Sequence, residues 1–174
     1  SIGYSHGGVW KSVNAGQTWK PVFDDQNFLS ISDIEVDPNN GIVYVGTGDP
    51  NISGYPLIGD GLWRSLDEGG TWQHVGLENQ RIISKIALNP QFPNTLYVGS
   101  MGIPFERNND RGLYKTTNSG AAWQQKLFIS DEAGIIDLVM SPADPNTLYA
   151  AAWDRIRNNQ ESIISGENAR IWKT

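Results

Sequence analysis

The sequence predicts an all-β fold, a β-propeller built of four-stranded antiparallel blades, and three observations carry that expectation. A tryptophan-closed motif recurs as Gly8-Val-Trp-Lys-Ser-Val-Asn-Ala-Gly-Gln-Thr-Trp19, Gly61-Leu-Trp-Arg-Ser-Leu-Asp-Glu-Gly-Gly-Thr-Trp72 and Gly112-Leu-Tyr-Lys-Thr-Thr-Asn-Ser-Gly-Ala-Ala-Trp123, and starts again at Arg170-Ile-Trp-Lys-Thr174. Its closing tryptophans stand 53 and 51 residues apart. A second pattern runs in phase: Ile31-Ser-Asp-Ile-Glu-Val-Asp-Pro38, Ile83-Ser-Lys-Ile-Ala-Leu-Asn-Pro90 and Ile135-Ile-Asp-Leu-Val-Met-Ser-Pro142, with the prolines 52 residues apart both times. A period of about 50 residues marks a propeller or a solenoid. Each unit holds four short runs rich in Val, Ile, Leu, Tyr and Trp between Gly, Pro, Asn and Asp clusters, and no run shows a helical period. Such a unit makes one blade.

In the second unit the strands are A (Ile31–Val36), B (42–46), C (61–65) and D (71–75). On that register residues 1–23 supply strands C and D ending one blade. Residues 31–75 form a second blade, 83–127 a third, and 135–174 strands A, B and C of a fourth. That makes about three and a half blades of a larger propeller, since propellers close with about four to eight. The apolar faces of such an arc need covering, and further blades from the same or another chain are the expected partner.

Composition narrows the function classes. Thirteen basic against nineteen acidic residues give a net charge of −6, which argues against a general nucleic-acid binder, because that needs a basic face. Charged residues are 18% and apolar ones 39%, so a disordered acidic tail is excluded as well. The absence of cysteine removes disulfides, thiol catalysis and thiolate metal sites. No apolar run approaches the length of a membrane span. The chain opens at Ser1 rather than methionine, which reads as a processed chain or a fragment.

The repeated motif joins strands C and D, and its residues suit a tight hairpin: Ser12, Asn14, Gly16 and Trp19; Ser65, Asp67, Gly69 and Trp72; Thr116, Asn118, Gly120 and Trp123. Asp67 can accept from nearby backbone amides, Gly69 takes a positive φ, and Trp72 packs a large ring between blades. Asn14 and Asn118 keep the acceptor oxygen without the charge, so the motif reads as structural rather than catalytic or metal-binding.

These residues carry a resemblance. The segment Ser65-x-Asp67-x-Gly69-x-Thr71-Trp72 is similar to the Asp-box, or BNR, signature. The whole chain resembles the propellers that bear it: sialidases, family 74 xyloglucanases and sortilin-type Vps10 domains. It looks most like bacterial secreted proteins of the sortilin-like or glycosyl-hydrolase-like kind, through Gly8-Val-Trp-Lys-Ser, Pro21-Val-Phe-Asp-Asp-Gln26, Tyr44-Val-Gly-Thr-Gly-Asp49, Gly61-Leu-Trp-Arg-Ser and Asp137-Leu-Val-Met-Ser-Pro142. The resemblance implies a secreted or cell-surface protein. It speaks to scaffold more than to activity.

Strand alternation sorts the connections onto two faces. The A–B and C–D turns are short. The B–C loops (47–60, 100–111, 151–169) and D–A loops (24–30, 76–81, 130–134) share the other face and are long or irregular. Divergent loops on a rigid scaffold are where binding resides. The candidate ligand-binding residues there are Asp49, Tyr55, Asp60, Arg81, Phe105, Arg107, Arg111, Trp153 and Arg155, with aromatic rings to stack on sugars and charges to orient a ligand. The expected ligand is a polysaccharide or a protein.

Enzymatic readings rest on the resemblance. Family 74 enzymes carry an essential aspartate in a phrase similar to Pro21-Val-Phe-Asp24, which makes Asp24 and its neighbour Asp25 the candidate catalytic carboxyls. Here Asp25 replaces the tryptophan that follows in the family, and the second carboxyl there comes from another propeller. Glycoside hydrolysis needs two carboxyl groups flanking the bond. A sialidase would need an arginine cluster, for which Arg81, Arg107, Arg111, Arg155 and Arg157 supply the residue type without the Arg-Ile-Pro phrase. No zinc-like spacing occurs and no cofactor is expected. Calcium is the one ion suggested, through Asp49, Asp60 and Asp110 in Gly- and Asn-rich loops.

Overall fold

The structure, a computed structural model, describes residues 2–4, 7–52 and 56–174, with backbone alone for Ile2–Tyr4. Sixteen strands in chain order build four successive sheets and one small hairpin, with no helix among the described residues. Sheet one is β1 (Ile2–Tyr4), β2 (Gly8–Lys11) and β3 (Lys20–Pro21). Sheet two is β4 (Ile31–Val36), β5 (Val43–Thr47), β6 (Leu62–Ser65) and β7 (Gln73–His74). Sheet three is β8 (Ile83–Leu88), β9 (Leu96–Ser100), β10 (Gly112–Thr116) and β11 (Gln124–Leu127). Sheet four is β12 (Ala133–Met140) and β13 (Leu148–Asp154), then β16 (Ile171–Lys173) after the hairpin of β14 (Ile156–Arg157) and β15 (Ser162–Ile163). Every pairing is antiparallel and runs in sequence order, as in propeller blades.

Two details differ from the sequence expectation. Sheet one has a strand B, because β1 pairs with β2 from Ile2↔Trp10 to Tyr4↔Gly8; a run of three residues is too short to show a strand pattern. The fourth B–C loop is not irregular throughout, since it folds back on itself as β14 and β15.

Packing follows the strand positions. Strand B is buried along its whole length in sheets two and three, because both of its faces meet a neighbouring sheet. Strand D is short and exposed at the rim. Between sheets two and three lie Tyr44, Leu62, Val75 and Leu77 against Ile83, Ile86, Leu96 and Val98. Tyr97, Leu113, Ile135, Leu138 and Leu148 fill the space between three and four, and Val9, Phe23, Ile31 and Val45 that between one and two. Each fully buried aliphatic side chain contributes about 1.5–3 kcal/mol, so the stacking of sheets is the main source of stability.

The C–D motif closes its hairpin with side-chain bonds. Ser65 Oγ accepts from Gly69 N at 2.7 Å and donates to Asp67 Oδ1 at 2.8 Å. Asp67 in turn accepts from Thr71 N at 2.7 Å and Thr71 Oγ1 at 2.8 Å. Asn14 and Asn118 reproduce the backbone bond, to Thr18 N and Ala122 N, at 2.9 Å each. The residue before the motif glycine also takes positive φ: Ala15 at 54°, Glu68 at 57° and Ser119 at 55°. Sequence pattern did not reveal that second left-handed residue, because its identity varies.

Candidate functional site

The B–C and D–A loops are bound into a single platform. Thr47 is fully buried, and its Oγ1 accepts from Asp60 N at 2.9 Å and Gly61 N at 3.1 Å, which closes the mouth of loop 47–60. Ile52, Ile82 and Met101 come together in a small core under this face, with Ile136 and Trp153 against it. Arg155 Nη2 donates to Ile52 O at 2.7 Å, which ties the loop of sheet two to that of sheet four. Besides the three C–D motif residues, the non-glycine residues with positive φ among those described are Ile52 (49°), Leu77 (65°) and Arg81 (56°), and all three lie in these loops. A β-branched residue in that region is strained, and such strain gathers at functional surfaces.

The candidate residues divide into accessible and framework groups. Asp24, Asp25 and Phe105 are exposed, and Asp49 is half-buried with its Oδ1 accepting from Asn51 N at 3.1 Å. The Arg81 guanidinium stands 5.9 Å from the Phe28 ring centre. Arg107 meets Glu161 with two bonds of 2.9 Å and Glu132 at 2.5 Å; these partners hold its pKa above the ordinary arginine value. The network is solvent-exposed, so it orders the surface more than it stabilises the fold.

Other candidates serve the framework. Asp60 Oδ1 accepts from Trp63 Nε1 at 2.9 Å and from Thr47 Oγ1 at 3.3 Å. Arg111 is fully buried; its Nη2 donates to Ile103 O at 2.9 Å, its Nε and Nη1 have no protein partner, and burial depresses its pKa to about 10. Arg155 lies 5.2 Å from the Trp153 ring centre and donates to Ile163 O, with its pKa lowered by burial and then by Arg157. Trp153 Nε1 donates to Ile164 O at 2.8 Å. Tyr55 lies outside the described residues. Among the described residues no group of three or more His, Asp or Glu side chains comes together for a metal ion, and Asp49, Asp60 and Asp110 do not form one.

One charged constellation was not foreseen. The same register shift recurs in each strand A, between Ile31/Asp33, Ile83/Lys85 and Ile135/Asp137. A bulge re-aims a side chain. Lys85 Nζ reaches Asp33 Oδ1 at 2.9 Å and Glu35 Oε1 at 3.9 Å, and Asp33 Oδ2 accepts from Ile86 N at 2.8 Å. Burial opposes the charge on Lys85, but the Asp33 bond and the charges of Asp33, Glu35 and Asp137 raise its pKa on balance. Burial, then Asp33, raises that of Glu35 against the pull of Lys85. Glu35 and Lys85 border a concavity of about 510 Å³ among the A–B turns, at the opposite end from the loop platform. The readable signal was a charged residue at the in-phase positions 33, 85 and 137.

No family model and no curated protein sequence matches the chain. Solved structures do. The GH74 xyloglucanase from Xanthomonas campestris aligns over 98% of this chain at a TM-score of 0.66 and 18% identity, with 26% of its own length covered. An ancestral GH74 enzyme aligns over 99% at 0.67 and 22% identity, with 23% of its length covered. The GH74 enzyme of Niastella koreensis aligns over 98% at 0.61 and 19% identity, with 27% covered. The chain folds as part of a β-propeller. It spans about a quarter of the length of these enzymes, and at such identities the likeness is one of fold.

Proposed function

We propose that the chain is part of a carbohydrate-recognition propeller of the Asp-box type, secreted or displayed at a cell surface, which takes polysaccharide on the B–C/D–A face. The observation that carries the reading is the clustering of Ile52, Leu77 and Arg81 at positive φ on that face, above a core that locks the loops together. Strain held by rigid support suits a pre-organised binding surface. Phe105 and the Arg81–Phe28 pair offer ring faces for sugars, and Asp24, Asp25, Asp49 and Arg107 offer polar groups around them. Fold likeness to xyloglucanases favours polysaccharide over a protein ligand, the sortilin-like alternative.

Hydrolysis is the second reading, and the accessibility of Asp24 favours it. Asp24 is exposed directly after the buried Phe23, so its carboxyl is free to meet a substrate. The test is a screen for new reducing ends with the full-length protein on plant and bacterial polysaccharides, beside its Asp24→Asn variant. Turnover lost in Asp24→Asn supports the enzyme. Binding without turnover supports the recognition module, and neither supports a protein ligand.

A further inference from the structure

A ring fills the outer gap between sheets one and two, and a glycine leaves the matching gap between sheets two and three open. Phe23, just after β3, packs at right angles on Trp72, with ring centres 4.9 Å apart, and on Trp63 at 5.8 Å. One repeat later Trp123 holds the place of Trp72, Tyr114 that of Trp63, and Gly76 that of Phe23. The backbone confirms the match. Val22 N donates to Val9 O as Val75 N donates to Leu62 O, and Trp72 Nε1 reaches Val22 O as Trp123 Nε1 reaches Val75 O. Gly76 has a φ of 98°, and a β-carbon there would stand 3.1 Å from Trp123 Nε1. A larger residue would therefore be strained and would lie against the indole.

The open gap is a groove of about 730 Å³, with residues 73–80 along one side and Tyr114, Trp123 and residues 118–122 along the other. Both walls belong to sheets that hold all four strands, and strand D is the rim strand, so the groove faces outward. Its polar groups are of both kinds. Gln73 Oε1 accepts from Arg64 Nη2 at 2.7 Å, which leaves the Gln73 amide nitrogen to donate. His74 Nε2 donates to Asp60 O at 2.6 Å, which leaves Nδ1 to accept. Glu78 and Asn79 are exposed on the same side. The Arg64 guanidinium also donates to Ser119 O, so it is already committed within the protein.

We infer that this groove is a saccharide site separate from the loop face, in which a pyranose ring lies against Trp123 as Phe23 lies against Trp72. A pyranose has an apolar C–H face and a rim of hydroxyls that both donate and accept. The indole suits the face, and Gln73, His74, Glu78 and Asn79 suit the rim. An anion would need the guanidinium that Ser119 and Gln73 hold. A plain aromatic ring would cover the polar wall without pairing it, which is costly. The class of ligand is thus a neutral glycan. Neither Arg81 nor Phe105 borders the groove, so the inference does not rest on the loop-face reading.

The experiment titrates the full-length protein with cellohexaose, mannohexaose, a xyloglucan oligosaccharide or p-cresol and follows amide exchange by mass spectrometry. Two double variants accompany it: Gln73→Ala with Asn79→Ala in the groove, and Arg81→Ala with Phe105→Ala on the loop face. At least one saccharide is expected to slow exchange in residues 73–80 and 118–123 together, in the wild type and in the loop-face variant alike. The Kd read from that slowing is expected to rise about tenfold or more in the groove variant, whose thermal midpoint stays that of the wild type. Slowing of neither wall by any saccharide overturns the inference. So does slowing by p-cresol alone, slowing that vanishes in the loop-face variant, or an unchanged Kd in the groove variant.

Discussion

Arg155 donates to the carbonyl oxygen of Ile52 at 2.7 Å, across 103 residues of chain, and so joins the loops of sheets two and four over sheet three. Both residues are buried, and Ile52 sits at a φ of 49°. The contact makes the loop face a platform rather than a set of independent loops. Arg155→Met keeps the aliphatic stem and leaves Ile52 O without its donor, at a cost of about 1–3 kcal/mol. Urea unfolding is expected to show that loss, and hydrogen exchange in loop 47–60 is expected to speed up while that of β8 and β9 stays slow.

Asp67 has a pKa of about 2 against an ordinary 3.8, held down by Thr71 N first, then Ser65 and Thr71 hydroxyls. A depressed carboxyl stabilises the fold above its unfolded value, and that contribution is lost as pH falls through the folded one. Asp67→Asn is therefore expected to lower the thermal midpoint at neutral pH. The gap between variant and wild type should close as pH falls from 3.8 toward 2. A gap that stays constant over that window would show that the charge is irrelevant to the turn.

Glu35 has the opposite sign. Its pKa is raised from 4.5, chiefly by burial and next by Asp33, so ionisation costs the folded state stability as pH rises through the folded value. Glu35→Gln removes the cost. The variant is expected to melt slightly higher than wild type at neutral pH and to match it below pH 4.5, measured by circular dichroism.

Trp72 and Trp123 each bond across two sheets, to Val22 O and Val75 O. Trp123→Phe removes the donor to Val75 O and is expected to cost about 1 kcal/mol. Trp123→Ala also empties the space between sheets and is expected to cost about 3 kcal/mol or more. Trp19 Nε1 donates within its own turn, to Gly16 O at 3.0 Å.

The repeat made the fold legible, because a blade cannot bury its faces alone and its phase is written in Trp72, Trp123, Pro38 and Pro90. That the B–C and D–A loops share one end was legible from strand alternation. Which loop residues stay accessible was not. Arg107 and Arg111 are four positions apart in one loop, yet one meets solvent and carboxylates while the other is fully enclosed. Composition does not separate a guanidinium that presents itself from one that caps loop carbonyls, since both need the same donors. Asp33 and Lys85 were hidden for another reason: a register shift alters where a side chain points without altering the residues around it.

Affinity electrophoresis of the full-length protein through gels containing soluble polysaccharides tests the central claim most directly. Xyloglucan, other β-glucans and a bacterial exopolysaccharide form the panel, with Phe105→Ala and Arg81→Ala on the loop face and Val139→Ala at the opposite end. The account predicts retardation by at least one polysaccharide, lost or weakened at least about tenfold in both loop-face variants and kept in Val139→Ala. Unretarded migration in every gel, or retardation that only Val139→Ala abolishes, would contradict it.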